Sequence, residues 1–245
     1  MTGLFISVSA AVIPALFLMR LFWKNDRFPE PSRVVWNTFF LGIAIIPPII
    51  IFAQFMAPLV AAQTDPWRAA VYEAFFQAAL PEDLAKFLVL YFYCARRTHF
   101  NEPMDGIVYG AAASMGFAAM ENVLYVLEGG LDVALMRAIT AVPAHCANGI
   151  ITGYFIALFE LSRRNRRGER IGWGETGYLV LALAVPMLAH TLYDFPLMLL
   201  DKDFDPSLHW VFVITFATLI IEVALAYWLF RKLHRLQHAK PIAGM

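Results

Sequence analysis

Charged residues are scarce in this sequence: 16% of its 245 residues are Asp, Glu, Lys or Arg, whereas 60% are hydrophobic. The 19 basic and 19 acidic residues cancel, and there is no glycine-rich phosphate loop, so nothing indicates a nucleic-acid partner. The only two cysteines, Cys94 and Cys146, lack CxxC spacing and are expected to be small buried side chains. A mean hydropathy of +0.61 excludes an ordinary soluble domain and predicts a helical membrane protein in contact with the lipid bilayer.

Long apolar runs predict the membrane spans, because about 20 apolar residues suffice for a helix to cross a bilayer. We expect an all-α, polytopic transmembrane bundle that forms a single membrane domain over residues 1–245. Its seven spans are 3–23, 35–60, 75–95, 107–127, 134–159, 176–200 and 210–230. The first has no Lys or Arg before it, as expected of an uncleaved span rather than a secretory signal peptide. Pro47 and Pro48 predict a kink in the second.

Basic residues are distributed unevenly over the two sides of such a bundle. Seven spans place all but four of the 19 on one side; Arg68, Arg137 and Lys202 fall on the other, and Lys86 lies within the third span. Because basic residues favour the cytoplasmic side, the pattern predicts an outside N-terminus and a cytoplasmic C-terminus in the cell (inner) membrane.

Ionisable residues within the spans are few, and most lie in spans three to six. They are Glu82, Asp83 and Lys86 in the third span, Glu121 in the fourth, His145 in the fifth, and His190 and Asp194 in the sixth. A charged residue at the centre of a span costs about 3 kcal/mol, so these groups are expected to face a cavity rather than lipid. At 1.5 Å per residue, four of the spans place such a group at a depth of roughly 9–17 Å below the outer surface. They are therefore expected to share one layer of the bilayer.

Proline precedes three of these groups closely in sequence, at Pro81, Pro143 and Pro186. Since proline leaves a helix carbonyl without its usual donor, water or protein must satisfy that carbonyl. We therefore expect a hydrated pocket in the outer half of the bundle. Its expected further lining residues are Phe117, Asn122, Asn148 and Gly149. Glu222, in the seventh span, is interpreted separately, as a hydrogen-bonding group between helices.

These groups suit the hydrolysis of a peptide bond, which needs an activated water, an oxyanion stabiliser and an acid for the leaving amine. Glu82 suits the water-activating role, with Lys86 one helical turn away. Two forms stay open. In a metal-free form, the two imidazoles and Glu121 act as hydrogen-bond donors and acids, and Asp194 orients His190. In a metal-dependent form, a zinc ion keeps an open position for water. Its possible ligands are His145, His190, Glu121 and Asp194.

Four segments resemble the motifs of the PrsW family of intramembrane proteases. PEDLAKF, FAAMEN and HTLYD are similar to its EExxK, FxxxE and HxxxD motifs, and PAHCANGIITGY is similar to its additional histidine segment. The resemblance covers residues 75–200 and implies that they are the catalytic core of a multi-spanning endopeptidase. It further implies a glutamic-type or metal-dependent mechanism and membrane-anchored substrates such as anti-sigma factors.

Matched by motif, the resemblance implies roles for seven residues. Glu82, Asp83 and Lys86 fill the first motif, Phe117 and Glu121 the second, and His190 and Asp194 the third. Asp83 departs from the family's usual Glu, because it is one carbon shorter while keeping the charge. Glu82 is therefore the expected water activator, and Asp83 is expected to support it.

Two other functions stay open from the sequence. Carboxylate, histidine and lysine relays also occur at mid-membrane depth in proton- or cation-coupled transporters. Against a transporter, no pair of related halves is detected in the chain. A membrane scaffold, in which the polar residues only join helices, is the third interpretation. Neither the substrate nor the oligomeric state is predicted.

Overall fold

The computed structural model describes residues 2–165, 172–202 and 210–239, which form helices joined by short connections, with no strand among them. In chain order the first helices are α1 (Thr2–Lys24), α2 (Ser32–Ala44), α3 (Ile46–Ala61), α4 (Pro66–Tyr72) and α5 (Leu80–Leu88). Two π-helical segments, π1 (Glu73–Ala79) and π2 (Val89–Cys94), flank α5. The remaining helices are α6 (Pro103–Ile139), α7 (Ala141–Asn165), α8 (Trp173–Lys202) and α9 (Trp210–Ala239).

Six helical stretches in this part of the chain are long and apolar enough to cross a membrane. They are Phe5–Lys24, Ser32–Ala61, Pro103–Ile139, Ala141–Arg164, Gly174–Lys202 and Trp210–His238. The all-α fold and the multi-pass membrane class are thereby confirmed. The third predicted span, 75–95, falls in the composite helix 66–94, which consists of short α and π pieces. The seven-span count and the orientation of the termini stay predictions.

The second predicted span is a helix that is interrupted once. α2 ends at Ala44 and α3 begins at Ile46, with Ile45 between them. Pro47 and Pro48 follow at once, and proline is tolerated in the first turn of a helix because the N–H groups there have no helical acceptor. The interruption lies directly before the two prolines, where the kink is predicted.

The fourth and fifth helices have boundaries that differ from the predicted ones. α6 continues to Ile139 across a kink at Gly130, where φ is 71°. Residues 134–139, which were predicted to start the fifth span, instead form the last part of α6, and α7 begins at Ala141. A positive φ is readily adopted only by glycine. Gly130 therefore allows the end of α6 to take a new direction.

The centre of the bundle is formed by α6 and α7, whose spans are 78% and 83% buried, compared with 22% for α1. The two helices meet at glycines. A Cβ on Gly110 would lie 2.0 Å from the carbonyl oxygen of Gly149, and one on Gly153 would lie 1.9 Å from that of Gly106. Small residues allow such close approach between membrane helices, so these positions fix how α6 and α7 pack.

One end of the bundle gathers the segments that were predicted to be cytoplasmic. Arg164, near the end of α7, donates hydrogen bonds to the carbonyl oxygens of Phe100 and Ala95 at 2.5 and 2.9 Å. Gln237, near the end of α9, donates to Glu102 Oε1 at 2.7 Å, just before α6 begins. Glu121 lies 18 residues further along α6, roughly 27 Å away along the helix axis. The predicted pocket is therefore at the opposite end.

Candidate active site

The ionisable side chains predicted for the pocket converge from α5, α6, α7 and α8. Contacts join all seven of them in one network: Glu82, Asp83, Lys86, Glu121, His145, His190 and Asp194. The centre of the network is almost inaccessible to solvent, since His145 and His190 are each 5% exposed and Lys86 is 2% exposed, whereas the Glu121 and Asp194 side chains at its edge are 17% and 19% exposed. The structure thus brings together every ionisable residue that the sequence placed in the pocket.

α5 presents three of these groups on one face. Lys86 Nζ lies 3.2 Å from Glu82 Oε2 and 3.4 Å from Asp83 Oδ1, as the i, i+4 and i, i+3 spacings require. Leu84 and Leu88 point the other way and are exposed at the outer surface of the bundle. Pro81, at the start of α5, has no N–H to donate, and the preceding turns are π-helical. π-helical turns are frequent at functional sites.

Lys86 also links α5 to α6 and α7. Its Nζ lies 3.3 Å from His145 Nδ1 and 4.1 Å from the centroid of the Phe117 ring, a cation–π contact. The Phe117 ring in turn meets the His145 imidazole edge-on at 5.2 Å. Phe117 thus packs behind the polar cluster, where it fixes the positions of Lys86 and His145.

Glu121 is held by two basic groups. Its Oε2 lies 2.9 Å from His145 Nε2 and accepts a hydrogen bond from Arg137 Nη2 at 2.5 Å. Arg137 also donates from Nε to Asn122 Oδ1 at 2.6 Å, and its guanidinium lies 3.9 Å from the centroid of the Tyr125 ring. The Glu121 carboxylate is therefore fixed between α7 and the far end of α6.

Arg137 is the residue of this cluster that the sequence analysis missed. It was counted on the side poor in basic residues, at the start of the predicted fifth span, but it lies in the last part of α6, and the kink at Gly130 brings it back over Glu121. Two signals in the sequence point to it. Arg137 is the only basic residue between Glu121 and His145, and a Gly129-Gly130 pair, typical of a turn, precedes it.

His190 lies between three carboxylates. Its Nδ1 is 3.1 Å from Asp83 Oδ2, and its Nε2 is 3.1 Å from Asp194 Oδ2 and 3.8 Å from Glu82 Oε2. The two imidazole rings approach each other edge-on at 5.4 Å. The HxxxD spacing puts His190 and Asp194 on one face of α8, where Asp194 can orient the ring.

Three of these side chains form a group that fits a metal ion. Glu82, His145 and His190 each offer one ligand atom, and the three atoms lie within 4.8 Å of one another. Two imidazoles and one carboxylate are a donor set of catalytic zinc sites, and a carboxylate on the other nitrogen of a ligating histidine is usual. Asp83 supplies such a carboxylate to His190, since its Oδ2 lies 3.1 Å from Nδ1 of the ring. The carboxylate in this group is Glu82, whereas the sequence analysis considered Glu121 or Asp194.

The polar groups border a cavity of about 70 Å³. Among its lining residues are Glu82, Glu121, His145, Asn148, His190, Asp194 and Arg137. Asn148 lies in the wall of this cavity, and its Oδ1 is buried without a hydrogen-bond partner in the described structure. Asn122 lies beside the cavity, bonded to Arg137.

Gly149 has a different role from the one expected. A Cβ there would lie 2.3 Å from both the Gly110 carbonyl oxygen and Ser114 Oγ. The space left by its missing side chain is therefore filled by α6 and does not enlarge the pocket. Glu222 also differs: it is buried in α9, but no described residue gives its oxygens a hydrogen bond. The interpretation of Glu222 as a hydrogen-bonding group between helices therefore has no support among the described residues.

A helical membrane bundle with histidines, carboxylates and a lysine joined around an interior cavity has the features of a polytopic membrane enzyme. The chain belongs to the PrsW family: the sequence model described as "PrsW family intramembrane metalloprotease" matches residues 30–223. That range includes every predicted site residue. The resemblance noted from the motifs is confirmed.

Several curated proteins are similar to the chain over most of its length. It is 33% identical to "Protease PrsW" of Geobacillus kaustophilus over 201 residues, 82% of each chain. It is 33% identical to "Protease PrsW" of Bacillus subtilis over 200 residues, 81% of this chain and 86% of the relative. "Protease PrsW" of Clostridioides difficile is 31% identical over 196 residues, 77% and 78% of the two chains. No solved structure is significantly similar. The protein is thus a membrane protease, and the transporter interpretation is not favoured.

Proposed function

We propose that this protease cleaves a peptide bond of a membrane-anchored protein, with the attacking water activated at the Glu82–His145–His190 group. The observation that carries the proposal is the meeting of these three ligand atoms within 4.8 Å, inside a buried cavity. Apolar side chains alone would explain the fold of a membrane bundle, whereas a buried group of this kind costs free energy unless it is paired or coordinates a metal.

Glu82, His145 and His190 are the residues that would hold a zinc ion. When bound, such an ion would polarise the scissile carbonyl and make a bound water acidic. The other residues would position this group. Asp83 orients the His190 ring through Nδ1, and Lys86 fixes Glu82 and His145. The metal-free form differs in one assignment, because there Glu82 itself would take the proton of the water.

Proton transfer and oxyanion stabilisation are assigned to the wall of the cavity that α6 forms. Glu121 borders the cavity and would carry the proton from the water to the leaving amine. Arg137 lines the same wall, and a guanidinium has five N–H donors. Its hydrogen bonds to Asn122 and Glu121 use two of them, so another N–H group would donate a hydrogen bond to the developing oxyanion.

The cavity restricts the form in which a substrate can be cleaved. A helix with side chains is about 10 Å across and does not fit into a space of about 70 Å³. We therefore expect the scissile segment to enter unwound. One of its backbone N–H groups would donate a hydrogen bond to Asn148 Oδ1, which has no partner in the described structure. Cleavage is expected near the outer end of the substrate's span. Mass spectrometry of the products would contradict this if the cut fell near the inner end.

The finer features expected from the sequence belong to the same proposal. The substrate would be a membrane-anchored regulator such as an anti-sigma factor, and the protein would lie in the cell (inner) membrane. Residues 75–200 would form the catalytic core, and the chain would have seven spans with its N-terminus outside. The family match supports a protein substrate in a membrane without specifying it further.

The test is cleavage of a single-span reporter by the purified protein. Glu82→Ala and His190→Ala are expected to lower kcat by about 100-fold or more, because they remove groups of the reacting centre. Glu128→Ala and His99→Ala are matched controls, since both residues are exposed and lie outside the network. The assignment fails if Glu82→Ala and His190→Ala both keep full activity. A zinc chelator added to the same assay separates the metal-dependent form from the metal-free form.

A further inference from the structure

A second group of buried carboxylates lies at the end of the bundle opposite the active site. Asp26 and Glu30 are in the loop 25–31 between α1 and α2, and Asp105 is in the first turn of α6. They are 4%, 6% and 0% exposed. One oxygen from each lies within 4.8 Å of the other two. Asp105 is 16 residues before Glu121 on α6, about 24 Å away, so this group is separate from the catalytic network.

Hydrogen bonds hold each of the three carboxylates in place through one oxygen. Asp26 Oδ1 accepts from the Phe28 backbone N–H at 3.0 Å and from Gln237 Nε2 at 2.8 Å. Asp105 Oδ2 accepts from the backbone N–H groups of Asn101 and Glu102, at 2.6 and 2.9 Å, which caps α6. The Tyr109 hydroxyl donates to Glu30 Oε2. The carboxylates are thus oriented by groups from the loop, α6 and α9.

One oxygen of Asp26 and one of Asp105 lack a donor among the described residues, and the Glu30 and Asp105 carboxyl groups approach closely enough to form a hydrogen bond when one of them carries a proton. Asp26 Oδ2 and Asp105 Oδ1 are buried, and no described residue donates a hydrogen bond to either. Capping of α6 accounts for Asp105 Oδ2 but leaves Oδ1 unexplained. Burial also raises the pKa of both Asp26 and Glu30, which reflects the cost of keeping charge there. Buried carboxylate oxygens of this kind need a proton or a cation.

We propose that Asp26, Glu30 and Asp105 bind a hard divalent cation, Mg²⁺ or Ca²⁺. The ligand atoms are all carboxylate oxygens, which these two ions prefer, whereas zinc favours sites with nitrogen or sulfur. The ion would join the first loop to the start of α6. Gln237, which contacts both Asp26 and Glu102, would extend that link to α9. The site is structural and makes no contact with the residues assigned to proteolysis.

The experiment uses the full-length protein in detergent, stripped of metal with a chelator. Thermal unfolding is followed while CaCl₂ or MgCl₂ is added. A ligand that binds only the folded state at about 100 times its dissociation constant should raise the midpoint by roughly 5–10 °C for a chain of this size. The expected result is a saturable rise of this order with one of the two salts.

Four variants make the result specific. Asp105→Asn and Asp26→Asn should both abolish the rise. Asp105 also caps α6, so its replacement can impair folding. Asp26 lies in a loop, so Asp26→Asn is informative in that case as well. Asp132→Asn, an exposed site on the same helix, should keep the rise. Glu82→Gln should keep it too, because that residue belongs to the other group. The proposal is overturned if wild-type protein shows no saturable rise. It is also overturned if Asp26→Asn responds to the salt like wild type.

Discussion

Replacing Arg137 by glutamine is the sharpest test of the proposed active site, because no family motif identified in the sequence includes this residue. The Arg137 and Glu121 side chains are 19% and 17% exposed, and their Nη2–Oε2 distance is 2.5 Å. Removing one partner of a buried ion pair costs about 3–5 kcal/mol. The solvent access of this pair reduces that cost, so we expect a loss of about 2 kcal/mol in the free energy of unfolding.

The effect on catalysis should exceed what this loss of stability explains. If Arg137 positions Glu121 and meets the oxyanion, Arg137→Gln should lower kcat about 100-fold and change KM little, as for loss of one oxyanion donor. Arg137→Lys should keep the ion pair with Glu121 but not the second bond to Asn122, so we expect it to recover part of the lost kcat. The assay is reporter cleavage at several substrate concentrations, at a temperature where every variant is folded.

Lys202→Gln is the matched control, since Lys202 pairs with Glu73 at 2.5 Å and also belongs to the side predicted to be poor in basic residues. It should leave kcat unchanged. The assignment would be refuted if Arg137→Gln kept kcat within twofold of wild type while Glu121→Gln abolished cleavage. It would also be refuted if Arg137→Gln raised KM alone.

Three further outcomes follow from the same geometry. Gly149→Ala should lower the thermal unfolding midpoint by an amount equivalent to about 1–3 kcal/mol, because its Cβ would collide with the backbone of α6. Gly174→Ala is the control and should leave the midpoint unchanged, because a Cβ there meets no neighbour within 4 Å. Asp83→Asn should lower kcat by about 10–100-fold because His190 loses a charged partner, and Asp83→Glu, the family's usual residue, should recover part of it in the reporter assay. In the metal-dependent form, cleavage should stop when zinc is chelated and return with zinc but not with Mg²⁺, whereas in the metal-free form the chelator should leave kcat unchanged.

The parts of the site that could be predicted are those set by local spacing. Four residues along a helix return to the same face, so Glu82 and Lys86, or His190 and Asp194, could be paired from the sequence. Apolar length likewise gave most of the helices and a common depth for the ionisable groups. Both depend only on helix geometry and on the cost of burying charge in lipid.

The parts that could not be predicted depend on how helices rotate against one another. Whether Glu82 or Glu121 joins both imidazoles in one ligand group is decided by the packing of α5 and α6 against α7, and no spacing within one helix contains that information. Arg137 required the backbone at Gly130 to turn with φ of 71°, a choice that glycine permits but does not impose. The role of Gly149 likewise depends on its neighbour Gly110 in another helix.

The glycine contacts connect the fold to the chemistry. The bond between Glu121 and His145 crosses from α6 to α7, so its 2.9 Å length depends on how those helices are aligned along their axes. Gly110 and Gly149 set that alignment by direct backbone contact, 11 residues before Glu121 and four after His145. A displacement of 1 Å between reacting groups can cost about 100-fold in rate. Glycines that never touch the cavity therefore control its geometry, and Gly149→Ala should lower kcat even at temperatures where the protein stays folded.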